Sequence, residues 1–320
     1  MAYILPFASL SKSDAGIAGG KGASLGEMTQ AGIPVPQGFV ILTDAFERFL
    51  AEADLVQEIE SELNDVNRDQ IHTVEYASER IQKHILEANM PEDIAKAVTD
   101  AFIELDAKFV AVRSSATAED SASAAWAGQL DSFLNTTEAT LLRNVKRCFA
   151  SLFTPRAIFY RLEQGLRDSR VSVAVVVQKM IESEVSGIAF SVHPVTEDHD
   201  QIIIEAGFGL GEAIVSGQIT PDSYVISKKG RNILDVNVSD QTRGIYRKED
   251  GGNEWRDLGE HGSDRKLDDT LVLELADIVM RIENHYGFPC DIEWAYEGSA
   301  FHIVQSRPIT TLAGGTTKED

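Results

Sequence analysis

A chain of 320 residues, 43% hydrophobic and 25% charged, can bury more than one small core and suits two lobes or one large composite domain. Its formal net charge of -22 excludes non-specific attraction to nucleic acid and to anionic membranes, so an anionic substrate needs a locally basic pocket or a metal. Cys148 and Cys290, the only two cysteines and far apart, exclude a disulfide framework and a zinc cluster and point to a reducing, cytoplasmic setting.

The opening "MAYILPFASL" lacks the basic n-region of a secretion signal, and no stretch approaches the roughly 18 apolar residues of a membrane span. "AGGKGASLGEM", residues 18–28, is the first stretch with chemical promise. A P-loop needs a glycine where Ala15 stands and a Ser or Thr where Gly22 stands, so the Walker pattern fails at both ends. Its physics still applies: Gly19, Gly20 and Gly22 let backbone N–H groups converge, a helix starting near Ala23 adds its positive end, and Lys21 completes an anion site. A glycine turn before a surface helix that ends at Gly32 explains the stretch equally well.

"IPVPQGFVIL" reads as a strand entered through two prolines, after which Thr43 caps a helix. Helices dominate from there to about residue 107, with Pro91 as a first-turn proline followed by two acids. "FVAVRSS" is a strand, followed by a polar small-residue stretch and helices at about 137–150 and 154–165. The second half is richer in strands: "VSVAVVVQKM", "GIAFSV", "QIIIEAG", "DSYVIS", "CDIEWAYE" and "AFHIVQSR", with a helix over about 268–286. "TTLAGGTTKED" reads as a flexible tail or linker.

Arg113 closes the "FVAVRSS" strand, where a guanidinium fork can grip two phosphate oxygens, or can pair with Glu119 or Asp120. In "WAGQLDSF", Gly128 permits close backbone approach and Ser132 offers a hydroxyl; a turn between strands accounts for both as well. "VVVQKMIESEVSGIAFS" reads as a connector between lobes that could present backbone groups to a purine edge, with Met180 and Ile181 about the ring; core packing is the plainer alternative. "EAGFGLGEAIVSG" has Glu212 where a dinucleotide fingerprint needs its third glycine, which leaves a tight turn or a loop near the ligand.

The sharpest local pattern is "CDIEWAYEGSAFHIVQSRP". Alternation sets Asp291, Glu293 and Ala295 on one face of a strand and Ile303, Gln305 and Arg307 on one face of the next. A three-residue loop would bring Glu293 opposite Gln305. A carboxylate, an amide oxygen and an arginine so gathered suit a Mg²⁺-phosphate site, because Mg²⁺ takes one or two protein oxygens and completes its octahedron with water and phosphate. A solvated face with a Glu/Arg ladder is the alternative.

Together "GGKGASLGEM", "PVPQGF", "VAVRSSATAED", "WAGQLDSFLN", "SGIAFSVHPVT", "EAGFGLGEAIVSG", "PDSYVI" and "IEWAYEG…HIVQSRPIT" resemble, in order, the N-terminal nucleotide-binding domain of the phosphoenolpyruvate synthase, pyruvate phosphate dikinase and rifampicin phosphotransferase family, over about residues 7–311. The resemblance implies an α+β ATP-grasp fold: an N-terminal lobe over 1–180, a C-terminal lobe over 181–312 with ATP between their β-sheets, and a tail over 313–320. It implies that Lys21 and Arg113 hold phosphate, that Gly128 and Ser132 contribute from the small-residue loop, and that Gln178 sits by the adenine. Glu293 and Gln305 would face Mg²⁺ and the phosphates, with Arg307 beside them, and Lys21, Arg113 and Arg307 would carry the catalytic charge.

Such proteins phosphorylate a histidine on a swivelling domain in a Gly-Gly-x-Thr-Ser-His setting, and none of the seven histidines here stands in that setting. The expectation is therefore a MgATP-binding subunit that works with a His-bearing partner protein, giving AMP and phosphate and passing a phosphoryl group to an acceptor such as pyruvate or a phenolic compound. Aryl phosphate synthases of phenol or cresol split their modules in this way, and a chain from Met1 to just past the last ATP motif would fit such a subunit. An excised domain of a full-length phosphotransferase, a self-contained ATP-grasp ligase or kinase, and a non-catalytic sensor are the alternatives. Their nucleotide products differ: AMP for the partnered forms, ADP for the ligase, none for the sensor.

Overall fold

The computed structural model describes residues 3–117, 130–165 and 171–309. The chain divides into two compact units, Met1–Glu27 with Gln37–Met180, and Met28–Pro36 with Ile181–Asp320. The first is built on an antiparallel sheet of β1 (Ile4–Pro6), β2 (Gly38–Ile41), β3 (Val110–Ala116), β4 (Ser132–Thr136) and β5 (Val173–Lys179), in the order β1-β2-β5-β3-β4. Its helices are α1 (Ala15–Gln30), α2 (Thr43–Glu52), α3 (Val56–Asn64), α4 (Ile71–Glu87), α5 (Glu92–Glu104), α6 (Glu138–Ser151) and α7 (Pro155–Glu163).

Strand alternation divides this sheet into two faces. Phe39, Ile41, Val110, Val112, Val175 and Val177 point into one hydrophobic cluster with α2, α4 and α6, where the rings of Phe46 and Phe49 lie 5.1 and 5.5 Å from that of Phe149. Val40, Arg113, Ser115, Val176 and Gln178 point the other way. All but the last residue of β5 are buried, which is why its sequence is a continuous apolar run rather than an alternating one.

The second unit is a six-stranded antiparallel sheet in the order β13-β12-β6-β7-β8-β9, comprising β6 (Val185–Phe190), β7 (Gln201–Phe208), β8 (Asp222–Ser227), β9 (Asn232–Asn237), β12 (Cys290–Glu297) and β13 (Ala300–Pro308). A hairpin of β10 (Arg243–Arg247) and β11 (Asn253–Asp257) and the short α8 (Glu212–Val215) complete it. Helix α9 (Asp269–Tyr286) starts at Asp268, whose carboxylate accepts from the Leu271 N–H at 2.9 Å, and stops at Gly287 in the left-handed region, φ 76°. It packs Val272, Leu275, Val279 and Ile282 against a face that carries Trp294, Ile292 and Tyr224. Gly187 lies opposite Trp294, and a Cβ there would come within 1.8 Å of the Glu205 carbonyl oxygen on β7 and 2.9 Å of the indole, so the glycine admits both the neighbouring strand and the ring.

The expected α+β composition is present, and several boundaries differ. "IPVPQGFVIL" is not one strand: Pro34 and Pro36 lack the N–H that a ladder needs, so β2 begins at Gly38. The segment ahead of it belongs to the second unit, where the Pro34 carbonyl accepts from the Ile303 N–H at 2.8 Å. Thr43 is the first residue of α2 rather than its cap, and Pro91 precedes the first turn of α5 rather than lying in it. Strands β1, β4 and β9 to β11 are additions to the sequence reading. Both cysteine thiols are pushed up to about 12 by burial. A thiol-reactive dye should therefore titrate neither in the folded protein and both in denaturant; a rapid reaction of one equivalent in native buffer would contradict the burial.

Candidate functional site

On the first unit, residues distant in sequence meet on the face turned away from the helical core. The glycine-rich stretch is not a turn followed by a helix at Ala23. Helix α1 runs from Ala15 with one break, at Gly19 (φ 67°, ψ 168°), so Gly20 and Gly22 are helical and only Gly19 uses a glycine-specific conformation. Gly32, at φ 70°, ends this helix, its N–H bonded to the Thr29 carbonyl. The Lys21 ammonium donates to the Ser114 carbonyl of β3 at 2.8 Å.

Arg113, 9% exposed, stands on β3 opposite Val176 of β5 and Ser132 of β4. Gln178 lies on the same face, one diagonal step from Arg113, and is 2% exposed. Its side-chain nitrogen is buried and has no hydrogen-bond partner among the described residues, a donor of the kind a bound acceptor would satisfy. Gly128, Glu119 and Asp120 lie outside the described residues.

On the second unit the hairpin of β12 and β13 sets Glu293 opposite Gln305 by a route different from the expected loop. The turn has two residues, Gly298 and Ser299, both left-handed at φ 57° and 67°, which alone would align Glu293 with Val304. A bulge between Glu293 and Trp294 inserts Val304 as an extra residue and moves the pairing by one. The same bulge corrects the reading of Ile303: it pairs with Trp294 on the α9 side, whereas Gln305 and Arg307 pair with Glu293 and Asp291 on the other. Arg307 grips Asp291, with Nε at 2.8 Å and a terminal nitrogen at 2.7 Å from one carboxylate oxygen.

Glu205, which carried no signal in sequence because it precedes a glycine-rich turn, belongs to this face as well. It lies opposite Ile188, which lies opposite Glu293, two strands across. Burial pushes the carboxyls of Asp291 and Glu205 above the usual range; Arg307 opposes the shift at Asp291, and Asp291 adds to that at Glu205. No group of three or more His, Cys, Asp or Glu converges on a metal position among the described residues. The neighbouring Glu293 carboxylate and Gln305 amide fit an ion that keeps most of its shell as water and phosphate.

"EAGFGLGEAIVSG" forms a tight turn. Gly209, at φ 84°, and Leu210 pass under β10, the Leu210 N–H donating to the Ile245 carbonyl at 2.9 Å, and the buried Gln241 amide clamps the backbone of Phe208 from both sides at 2.8 and 3.0 Å. The dinucleotide reading fails, because β7 pairs antiparallel with both neighbours and α8 has only four residues.

Helices and antiparallel sheets in both units make this an α+β protein. Residues 15–320 match the pyruvate phosphate dikinase AMP/ATP-binding domain, and the chain belongs to that family. It is 43% identical, over 98% of its length, to a probable phosphoenolpyruvate synthase of Methanocaldococcus jannaschii, covering 27% of that protein. It is 38% identical over 99% of its length to phosphoenolpyruvate synthase of Pyrococcus furiosus, covering 45% of it. Rifampicin phosphotransferase of Bacillus subtilis is 38% identical over 97% of the chain, which covers 36% of that enzyme. The chain thus spans between about a quarter and a half of the curated relatives it matches. No helix among the described residues is long and apolar enough to cross a membrane.

The raised carboxyls give the fold a pH signature. A carboxyl whose folded pKa exceeds its unfolded value contributes stability that is complete below the unfolded value, about 4.3 for Glu, and lost as pH rises through the folded one. Glu205→Gln should therefore melt higher than the parent protein near neutrality, with the gap closing as pH falls toward the unfolded value. Thermal unfolding across that range checks it, and a variant that melts lower at neutral pH would refute the assignment.

Proposed function

We propose that this chain is the MgATP-binding part of a phosphotransferase that acts through a phosphohistidine. Lys21 and Arg113 grip the phosphates, Gln178 reads the adenine through its unpartnered amide, and Glu293 and Gln305 hold Mg²⁺, with Arg307 beside them. Bound there, the ion neutralises charge on the phosphate oxygens. The observation that supports this reading best is the common face of Lys21, Arg113, Ser132 and Gln178, four residues from four separate segments, with one buried donor left for a ligand.

The nucleophile comes from elsewhere. A histidine nitrogen of a partner domain attacks the β-phosphorus of ATP; the bond to the oxygen bridging the α- and β-phosphorus breaks, AMP leaves with that oxygen and its electron pair, and the diphosphoryl group passes to the imidazole. Loss of the γ-group to water then gives inorganic phosphate, and the remaining phosphoryl goes to an acceptor, pyruvate or a phenolic compound, bound outside this chain. Positioning and charge neutralisation supply most of such catalysis, which suits a chain offering three cations and a metal pair but no histidine in the phosphoryl-carrying setting. The greater length of the curated relatives supports the need for a further module.

Lys21→Ala and Arg113→Ala should each weaken MgATP binding about ten- to a hundred-fold, the usual effect of losing a charge-assisted contact, and calorimetry with unchanged affinity in both would sink the assignment. With a His-bearing partner and β-labelled ATP, label should move to the partner as AMP appears. Glu293→Gln should lower that rate more than it lowers ATP affinity. ADP as the sole nucleotide product would instead establish a self-contained ligase or kinase.

A further inference from the structure

In an uninterrupted helix the N–H of residue 22 would donate to the carbonyl of residue 18. At Gly19 the helix breaks, and a side chain from β3, more than ninety positions along the chain, occupies the gap: the Ser115 hydroxyl accepts from the Gly22 N–H at 3.1 Å and donates to the Ala18 carbonyl at 2.9 Å. One hydroxyl serves as donor and acceptor at once, which no apolar side chain can do. Ser115 is fully buried, so it touches no ligand. The fit is closed from the other side as well, since a Cβ at position 19 would lie 2.2 Å from the Ser115 hydroxyl and 2.3 Å from its carbonyl oxygen.

Lys21 lies between the two bridged groups. Its backbone is fixed through Ser115, and its ammonium is held by the carbonyl of Ser114, the preceding residue of the same strand. Arg113 is one residue further back on β3. The Ser114 side chain faces the opposite side of the sheet, where its hydroxyl meets that of Ser151 at 2.8 Å, so only Ser115 serves the kink with its side chain. Three consecutive residues therefore supply a cationic side chain, the acceptor that orients a second cation, and the hydroxyl that fixes the second cation's backbone.

We propose that Ser115 is a positioning residue for Lys21: its hydroxyl, inserted into the broken helical hydrogen bond across Gly19, sets the place from which the Lys21 ammonium reaches phosphate. This rests on the reading of Lys21 as an ATP phosphate ligand, and the test separates the two. MgATP affinity is measured by calorimetry for the parent chain, Ser115→Ala, Ser115→Cys, Ser115→Thr, Lys21→Ala and the Ser115→Ala/Lys21→Ala double variant, with thermal unfolding to confirm that each is folded.

Ser115→Ala should weaken binding about tenfold, and Ser115→Thr, which keeps the hydroxyl, should stay within about threefold of the parent. Ser115→Cys fills the space without a strong donor and should follow the alanine variant; paired with Lys21→Ala, it carries the test if Ser115→Ala does not fold. Once Lys21 is gone, losing the Ser115 hydroxyl should cost no further affinity beyond about twofold. Full additivity in the double variant, unchanged affinity in both hydroxyl-deleted variants, or a threonine variant as weak as the cysteine one would overturn the inference while leaving Lys21 as a ligand. Unchanged affinity in Lys21→Ala itself would overturn the phosphate reading, and this inference with it.

Discussion

The unbroken ladder between β3 and β5, from Val110 opposite Lys179 to Ala116 opposite Val173, is the constraint on which the first unit depends. Its register decides at one stroke which side chains enter the helical core and which line the basic face. A slip of β3 by one residue would turn Arg113 toward Phe149 and carry Val112 to the opposite face. Burying an unpaired guanidinium there is costly enough that the hydrophobic core and the polar face enforce the same alignment. The core therefore specifies the geometry of the site as well as its stability.

The second unit reaches a comparable result through an irregularity. A tight turn with two left-handed residues would leave Glu293 facing Val304, and the extra residue in β13 restores a polar partner while keeping Ile303 under the indole of Trp294. Asp291 and Arg307 then form an ion pair beside the Glu293 and Gln305 pair. The edge of that face is held by a fork of two short contacts, whereas Glu205 sits among strands where burial works against its charge.

Most elements were legible in the sequence because their periodicities are clean: β8 and β12 coincide with the apolar alternation, and α9 with its 3.6-residue pattern between Asp268 and Gly287. Edge and hairpin strands were not: in Asn232–Asn237 Leu234 and Val236 alternate on one face, but the strand is almost wholly exposed and short. The sequence pointed to Lys21, Arg113, Glu293 and Gln305 as chemical types, but it paired the last two only through an assumed three-residue loop, where a two-residue turn and a bulge produce the same register. It could not indicate Ser115, whose contacts join segments with no common pattern, nor Glu205, whose relation to Glu293 exists only through the order of strands in the sheet. The kink at Gly19 was hidden for the same reason: three glycines read alike, and only packing against β3 distinguishes the first.

The short segment Met28–Pro36 has a consequence for how the protein is made. It lies along the outer edge of β13, where the Pro34 carbonyl takes the Ile303 N–H, although roughly 270 residues of chain separate the two groups. During synthesis this early segment leaves the ribosome with β13, the strand it bonds, still to be translated. A chain truncated before Ala300 would leave both the segment and β12 with unpaired backbone, the kind of edge through which unfinished chains find one another. Neither unit is a continuous stretch of sequence, so cutting the polypeptide once, at Met180, yields two fragments of which the second lacks its own first piece.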